Sequence, residues 1–113
     1  MVLSNEPGYY ESGNFGIRIE NLLIVKAKGF EGNGKIEGIK KFLQFERLTM
    51  IPIQKSLIDI SLMSDQELDW IDAYHAEIWD KVGARLEDGT DAKVWLEESC
   101  QKIERKGLVQ VPV

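Results

Sequence analysis

The sequence has one cysteine, one histidine, three prolines and no long apolar run. Cys100 alone cannot close an internal disulfide, which sets aside the disulfide-stapled secreted scaffolds and fits a reducing compartment. The longest apolar stretches, Leu22 to Val25 among them, fall far short of the roughly 20 residues that a membrane-crossing helix needs. An excess of positive charge is missing too: 19 acidic against 14 basic side chains leave a net charge of -5. Nucleic acid and anionic membranes both recruit Lys and Arg, so neither is an expected partner. Residues 1–25 do not show a basic start, an apolar stretch and a small-residue cleavage site in the order of a signal peptide, and a cytoplasmic location is the expectation.

What is present suits one ordinary domain of 113 residues, 43% hydrophobic and 29% charged. Two textures divide it. Residues 1–60 carry 8 basic and 7 acidic side chains, with Gly and Pro punctuating short β-branched and aromatic runs; residues 61–113 carry 6 basic and 12 acidic ones in a helical pattern. Neither half could bury a sizeable core alone, so the reading is a single domain with a β half and an α half. The fold class expected is α+β, with about four mainly antiparallel strands followed by two helices.

In the β half, Val2 to Glu6 reads as a strand ended by the turn pair Pro7-Gly8. Gly16 to Lys26 reads as a central strand buried on both sides, because Ile17, Ile19, Leu22, Leu23, Ile24 and Val25 put apolar groups on both faces. Phe30 to Ile39 is glycine-rich and reads as a connection or hairpin tip. Lys41 to Met50 reads as a strand, and Ile51 to Ile60 as a further one after Pro52. Within the central strand, Arg18 and Glu20 share a face. A carboxylate buried there needs a partner. An Arg18–Glu20 ion pair and a metal carboxylate supported by Arg18 both satisfy that need.

The α half opens on a capping box, Ser64 with Glu67, flanked by Met63 and Leu68 at the hydrophobic-staple positions. Leu68, Ile71, Tyr74, Ile78, Val82 and Leu86 recur at spacings of three and four, predicting a helix from about Asp65 to Leu86. Thr90 is the expected N-cap of a second helix with Val94, Trp95, Leu96, Ser99, Cys100 and Ile103 on its packing side, and Gly107 its expected stop. Trp70, Tyr74, Trp79 and Trp95 read as packing residues rather than a binding surface. His75 has no Cys or second His nearby and reads as a surface or hydrogen-bonding residue, not a ligand. Cys100, beside Glu97 and Glu98, has nothing that would lower its thiol pKa.

Two segments carry more than generic pattern. Ser4-Asn5-Glu6-Pro7-Gly8-Tyr9-Tyr10-Glu11 and Gly16-Ile17-Arg18-Ile19-Glu20-Asn21 closely resemble the last two metal-binding motifs of aminopeptidase P, the Xaa-Pro aminopeptidases of the pita-bread metallopeptidase fold. Their glutamates stand 14 residues apart, as the family requires. Phe45-Glu46-Arg47-Leu48-Thr49, Ile51-Pro52-Ile53-Gln54 and Leu57-Ile58-Asp59 resemble the family's closing strands. Leu68-Asp69-Trp70 and Tyr74-His75 resemble its C-terminal helical extension, so the likeness covers nearly the whole chain.

The resemblance implies that residues 1–113 are one partial domain, the C-terminal portion of a pita-bread catalytic domain. It implies that Glu6 is a terminal ligand to one metal of a pair and, hydrogen-bonded to the water the metals activate, a candidate general base. Glu20 would bridge both metals, and Tyr10 and Arg18 would hold the carboxylates in place. Hard carboxylate oxygens suit Mn2+. The implied substrate is a peptide with proline in second position. The family's centre takes two aspartates and a histidine before the two glutamates, and this chain carries only the last two of the five; His75 is no substitute. The chain alone is therefore expected to bind Mn2+ weakly or not at all and to be inactive. A cut sheet with open edges predicts a homodimer or a swapped dimer. The competing reading is a non-catalytic structural or interaction module derived from the peptidase fold.

Overall fold

The computed structural model describes residues 1–28 and 42–105. It is an α+β structure of antiparallel strands and two helices, in two compact units, Met1–Thr49 and Met50–Val113. The expected connection over Phe30 to Ile39 and the expected stop at Gly107 lie outside the described residues.

The first unit holds β1 (Val2–Asn5), β2 (Gly8–Glu11), β3 (Phe15–Arg18), β4 (Asn21–Lys28) and β5 (Phe42–Arg47). They form a three-stranded sheet of order β1-β4-β5 and a two-stranded sheet of β2 and β3, antiparallel throughout. The strand expected over Gly16 to Lys26 is thus two strands in two sheets, separated at Ile19-Glu20. Its second part, β4, is central as expected, flanked by β1 and β5, but it is only half-buried, not covered on both sides. The β2–β3 connection turns at Glu11–Asn14, where the Asn14 N–H donates to the Glu11 carbonyl at 3.0 Å. Gly13 takes the positive φ of 73° that such a turn asks for.

The second unit is built on α1 (Asp65–Val82) and α2 (Asp91–Ser99). The capping box is complete: Glu67 N–H donates to Ser64 Oγ at 3.1 Å, and Ser64 N–H donates to Glu67 Oε2 at 2.9 Å. The α1 stripe then packs in two clusters. Leu68, Ile71 and Ile103 gather Ile58, Ile60 and the staple residue Met63. Tyr74, Ile78 and Leu96 gather Met50, Ile53, Trp79, Val82, Leu86 and Cys100.

The helix stops short of Leu86, tightening into a 3-10 turn over Gly83–Arg85. A side chain on Gly83 would meet the Trp79 ring at 2.6 Å, so only glycine fits beneath that indole. Thr90 caps α2 as expected, accepting from the Lys93 N–H. That helix ends at Ser99, where the Lys55 ammonium donates to the carbonyls of Glu98 (3.0 Å) and Gln101 (2.9 Å), a positive charge at the negative end of the helix.

Ile51 to Ile60 is not a strand. It holds 3-10 turns over Lys55–Leu57 and Ile60–Leu62. Pro52 has no N–H to give a ladder, and Asp59 accepts from both the backbone N–H and the hydroxyl of Ser61 (3.0 and 2.6 Å), closing a turn instead. Ile53, Ile58 and Ile60 pack into the two clusters built on α1, while Ile51 and Leu57 are exposed. Two packing expectations also fail: Trp70 and Trp95 are exposed, Trp70 stacking on Tyr74 with centroids 5.6 Å apart. Beyond α2, Ile103 N–H donates to Asp72 Oδ1 (2.9 Å) and Arg105 reaches Asp69 and Asp72, pinning the chain onto α1.

Candidate metal centre

The two sheets of the first unit are one hairpin interrupted. The pairs Val2–Ile24 to Asn5–Asn21 and Gly8–Arg18 to Glu11–Phe15 keep a single offset on both sides of the break. Antiparallel pairs alternate between hydrogen-bonded and non-bonded positions. Val25 N–H donates to the Met1 carbonyl at 3.0 Å and Ile19 N–H to the Pro7 carbonyl at 3.2 Å, which puts the odd-numbered pairs at the bonded positions. At Pro7 and Ile19 the reciprocal bond cannot form, because proline has no N–H. The ladder opens there for that reason.

Carrying the offset through the break puts Glu6 across from Glu20, at a non-bonded pair, where side chains stand closest. Gly8–Arg18 and Tyr10–Gly16 are the next pairs of that kind. By the two-residue alternation of strands, Glu6, Tyr10, Arg18 and Glu20 therefore share one face of the hairpin, while Leu3, Tyr9, Phe15, Ile17 and Ile19 share the other. Sequence reasoning missed the role of Gly8 and Gly16. A side chain on Gly8 would meet the Tyr10 hydroxyl at 2.7 Å, and one on Gly16 the Tyr10 ring at 2.7 Å. The phenol lies across both glycines with its oxygen pointing back toward the break, and the signal available in the sequence was glycine two residues before Tyr10.

Glu20 is flanked by anchored backbone. Ile19 is tied to Pro7, and Leu22 N–H donates to Thr49 Oγ1 at 2.7 Å while accepting from Leu48 N–H at 2.8 Å. Arg18 Nε stands 3.8 Å from Glu20 Oε2, with both side chains about half exposed, 50% and 45%. The buried ion pair is thus not what forms; at this distance and exposure the attraction is weak. Two carboxylates facing each other at one rung repel, and a cation between them would remove that cost. In kind the pair fits Mn2+, whose preference is for hard oxygen donors. In number it falls short: among the described residues no group of three or more His, Cys, Asp or Glu side chains could hold a metal ion. His75 belongs to the other unit and is engaged there by Ile53.

Comparison with known proteins bears on both the fold and the site. Residues 41–103 match the family described as the C-terminal region of peptidase M24. The chain belongs to that family. It is similar to a probable Xaa-Pro aminopeptidase P of Laccaria bicolor, 48% identical over 103 residues, covering 91% of this chain and 16% of that protein. It is also similar to aminopeptidase P2 of Arabidopsis thaliana, 51% identical over 96 residues, covering 85% of this chain and 13% of that protein. A solved structure, the X-prolyl aminopeptidase of Caenorhabditis elegans, described as a cytosolic enzyme with a di-nuclear active site, superposes with a TM-score of 0.73 at 38% identity, covering 90% of this chain and 16% of that one. This member of the peptidase M24 C-terminal family thus spans 13% to 16% of the length of these relatives. Glu6 and Glu20 precede the segment that matches the family. Among the described residues no helix is long and apolar enough to cross a membrane.

Proposed function

We propose that this chain supplies the C-terminal portion of the catalytic domain of a cytoplasmic, dinuclear-metal Xaa-Pro aminopeptidase, which removes an N-terminal residue preceding proline. The observation that carries the reading is the single register kept on both sides of the break, from which Glu6 and Glu20 fall on one rung with Tyr10 and Arg18 on the same face. Glu6 and Glu20 would hold the metal pair, Mn2+ by donor chemistry, together with further ligands, since among the described residues no third His, Cys, Asp or Glu joins them. When bound, such a pair polarises a peptide carbonyl and activates water near neutral pH. By the resemblance to aminopeptidase P, Glu6 would also take a proton as general base. Arg18, on the same face as Glu20, would help hold that carboxylate once the site is completed and covered. Tyr10, laid over Gly8 and Gly16, keeps its hydroxyl at the edge of the site.

In a chain that joins this sequence to the rest of the catalytic domain, Glu20→Gln is expected to abolish release of the first residue from an Xaa-Pro peptide and to lower bound metal. Normal turnover by that variant would sink the assignment. The 113 residues alone are expected to be inactive and to take up Mn2+ weakly. Among the described residues no strand lies beyond β1 or β5 in their sheet, which supports self-pairing of the isolated chain. A non-catalytic interaction module is the second reading, favoured by the two-carboxylate donor set; tight stoichiometric Mn2+ uptake by the 113-residue chain counts against it.

A further inference from the structure

We propose that His75 is an acid-released latch: as a neutral imidazole it holds the segment 50–63 against α1 through one buried acceptor nitrogen, and protonation lets that segment go. His75 has no solvent exposure, and its Nε2 accepts from the Ile53 N–H at 3.0 Å. An acceptor Nε2 requires the tautomer with the proton on Nδ1, and that buried Nδ1 has no partner. The imidazolium carries N–H at both nitrogens and accepts nothing, so a protonated His75 would set one donor against another at Ile53.

What the latch holds is not incidental. Ile53 packs against the Tyr74–Ile78–Leu96 cluster, and Ile58, Ile60 and Met63 cover the other. Two residues before Ile53, the Tyr74 hydroxyl donates to the Ile51 carbonyl at 2.8 Å, a second tie that does not pass through the imidazole, so the opening is local to the stretch from Ile53 onward.

The charged groups around the imidazole come from each element packed on it. Burial, the largest influence, disfavours the charged ring, and Lys55, on the turn after Ile53, adds to it by opposing a second positive charge; together they outweigh Asp72, one turn back on α1, and hold the imidazole below its ordinary 6.5. Cys100, at the end of α2, has its thiol pushed up by burial and stays neutral in the same range. The sign follows. With the closed-state midpoint below the open-state one, the latch is fully present above pH 6.5 and is lost as pH falls from 6.5 toward the closed-state midpoint.

His75 is the sole histidine, so its NMR signal is unambiguous in the full chain. The imidazole is expected to titrate below 6.5, and the opening equilibrium of the Ile53 amide, read by hydrogen exchange, to rise about tenfold per pH unit in that window before levelling off at the imidazole midpoint. His75→Gln, which offers an oxygen acceptor near the position of Nε2 but cannot titrate, is expected to leave Ile53 protection flat. An imidazole midpoint at or above 6.5, or an equal slope in H75Q, overturns the latch. Should H75Q not fold, the wild-type chain decides: Ile53 protection independent of pH across the imidazole titration overturns it equally.

Discussion

The two units differ in how they are held. In Met50–Val113, Leu68, Ile71, Tyr74, Ile78, Leu96 and Ile103 are buried hydrophobics around two helices. In Met1–Thr49 no described residue is buried; the strands are joined by their ladders, and Leu3, Ile17, Ile19, Leu22 and Phe45 remain exposed. One unit is a small core with caps. The other is a backbone frame carrying side chains on two faces, and an uncovered frame of few strands is marginal in water. The frame bears the candidate site and the core does not, so the residues proposed for chemistry stand where the chain itself supplies least burial.

The contrast can be broken most directly at Ile78. Ile78→Ala, in the second unit's core, is expected to cost about 2–5 kcal/mol in urea unfolding. All three tryptophans, Trp70, Trp79 and Trp95, lie in that unit, so fluorescence reports it specifically; a loss under about 1 kcal/mol would mean this cluster is no core. Ser64→Ala removes one half of the capping box, and the expected loss in the same assay is about 1 kcal/mol. An unchanged midpoint would show the helix start to be held by packing alone. The smallest effect is expected at Ile17, half exposed on the hairpin. In the 113-residue chain Ile17→Ala should change stability by less than about 0.5 kcal/mol. A core-sized loss there would erase the distinction between the units.

How legible each part was in the sequence follows from how local its cause is. Helix α1 was readable because Ser64, Glu67 and the Leu68–Ile71–Tyr74–Ile78 spacing are neighbours in the chain. Its early end was not, since Val82 and Leu86 keep the helical spacing through the 3-10 turn at Gly83–Arg85. Ile51 and Ile53 alternate as in a strand, yet they answer to Tyr74 and His75, more than twenty residues on. The stretch Gly16 to Lys26 has no internal mark of its break; the cause is Pro7 on the opposite leg. The candidate site shows the same division. Period-two alternation put Arg18 and Glu20 on one face, and family resemblance singled out Glu6 and Tyr10. That Glu6 and Glu20 share a rung is a matter of register, which no single strand carries. The half-exposed state of Arg18 and Glu20 was missed because an apolar run looks the same whether or not anything covers it.

The unbroken offset on either side of Pro7 makes the hairpin a counting device governed by parity. Adding or deleting one residue between Glu6 and Tyr10 would hand the tyrosine to the apolar face, and a deletion would seat Glu11 in its place; a change of two would restore the face though not the neighbour. Residues 12–14 lie beyond the last pair, Glu11–Phe15, and can lengthen without moving any rung. The same short ribbon is therefore permissive at its tip and strict along its legs, and the strictness concerns odd against even rather than the identity of the inserted residue.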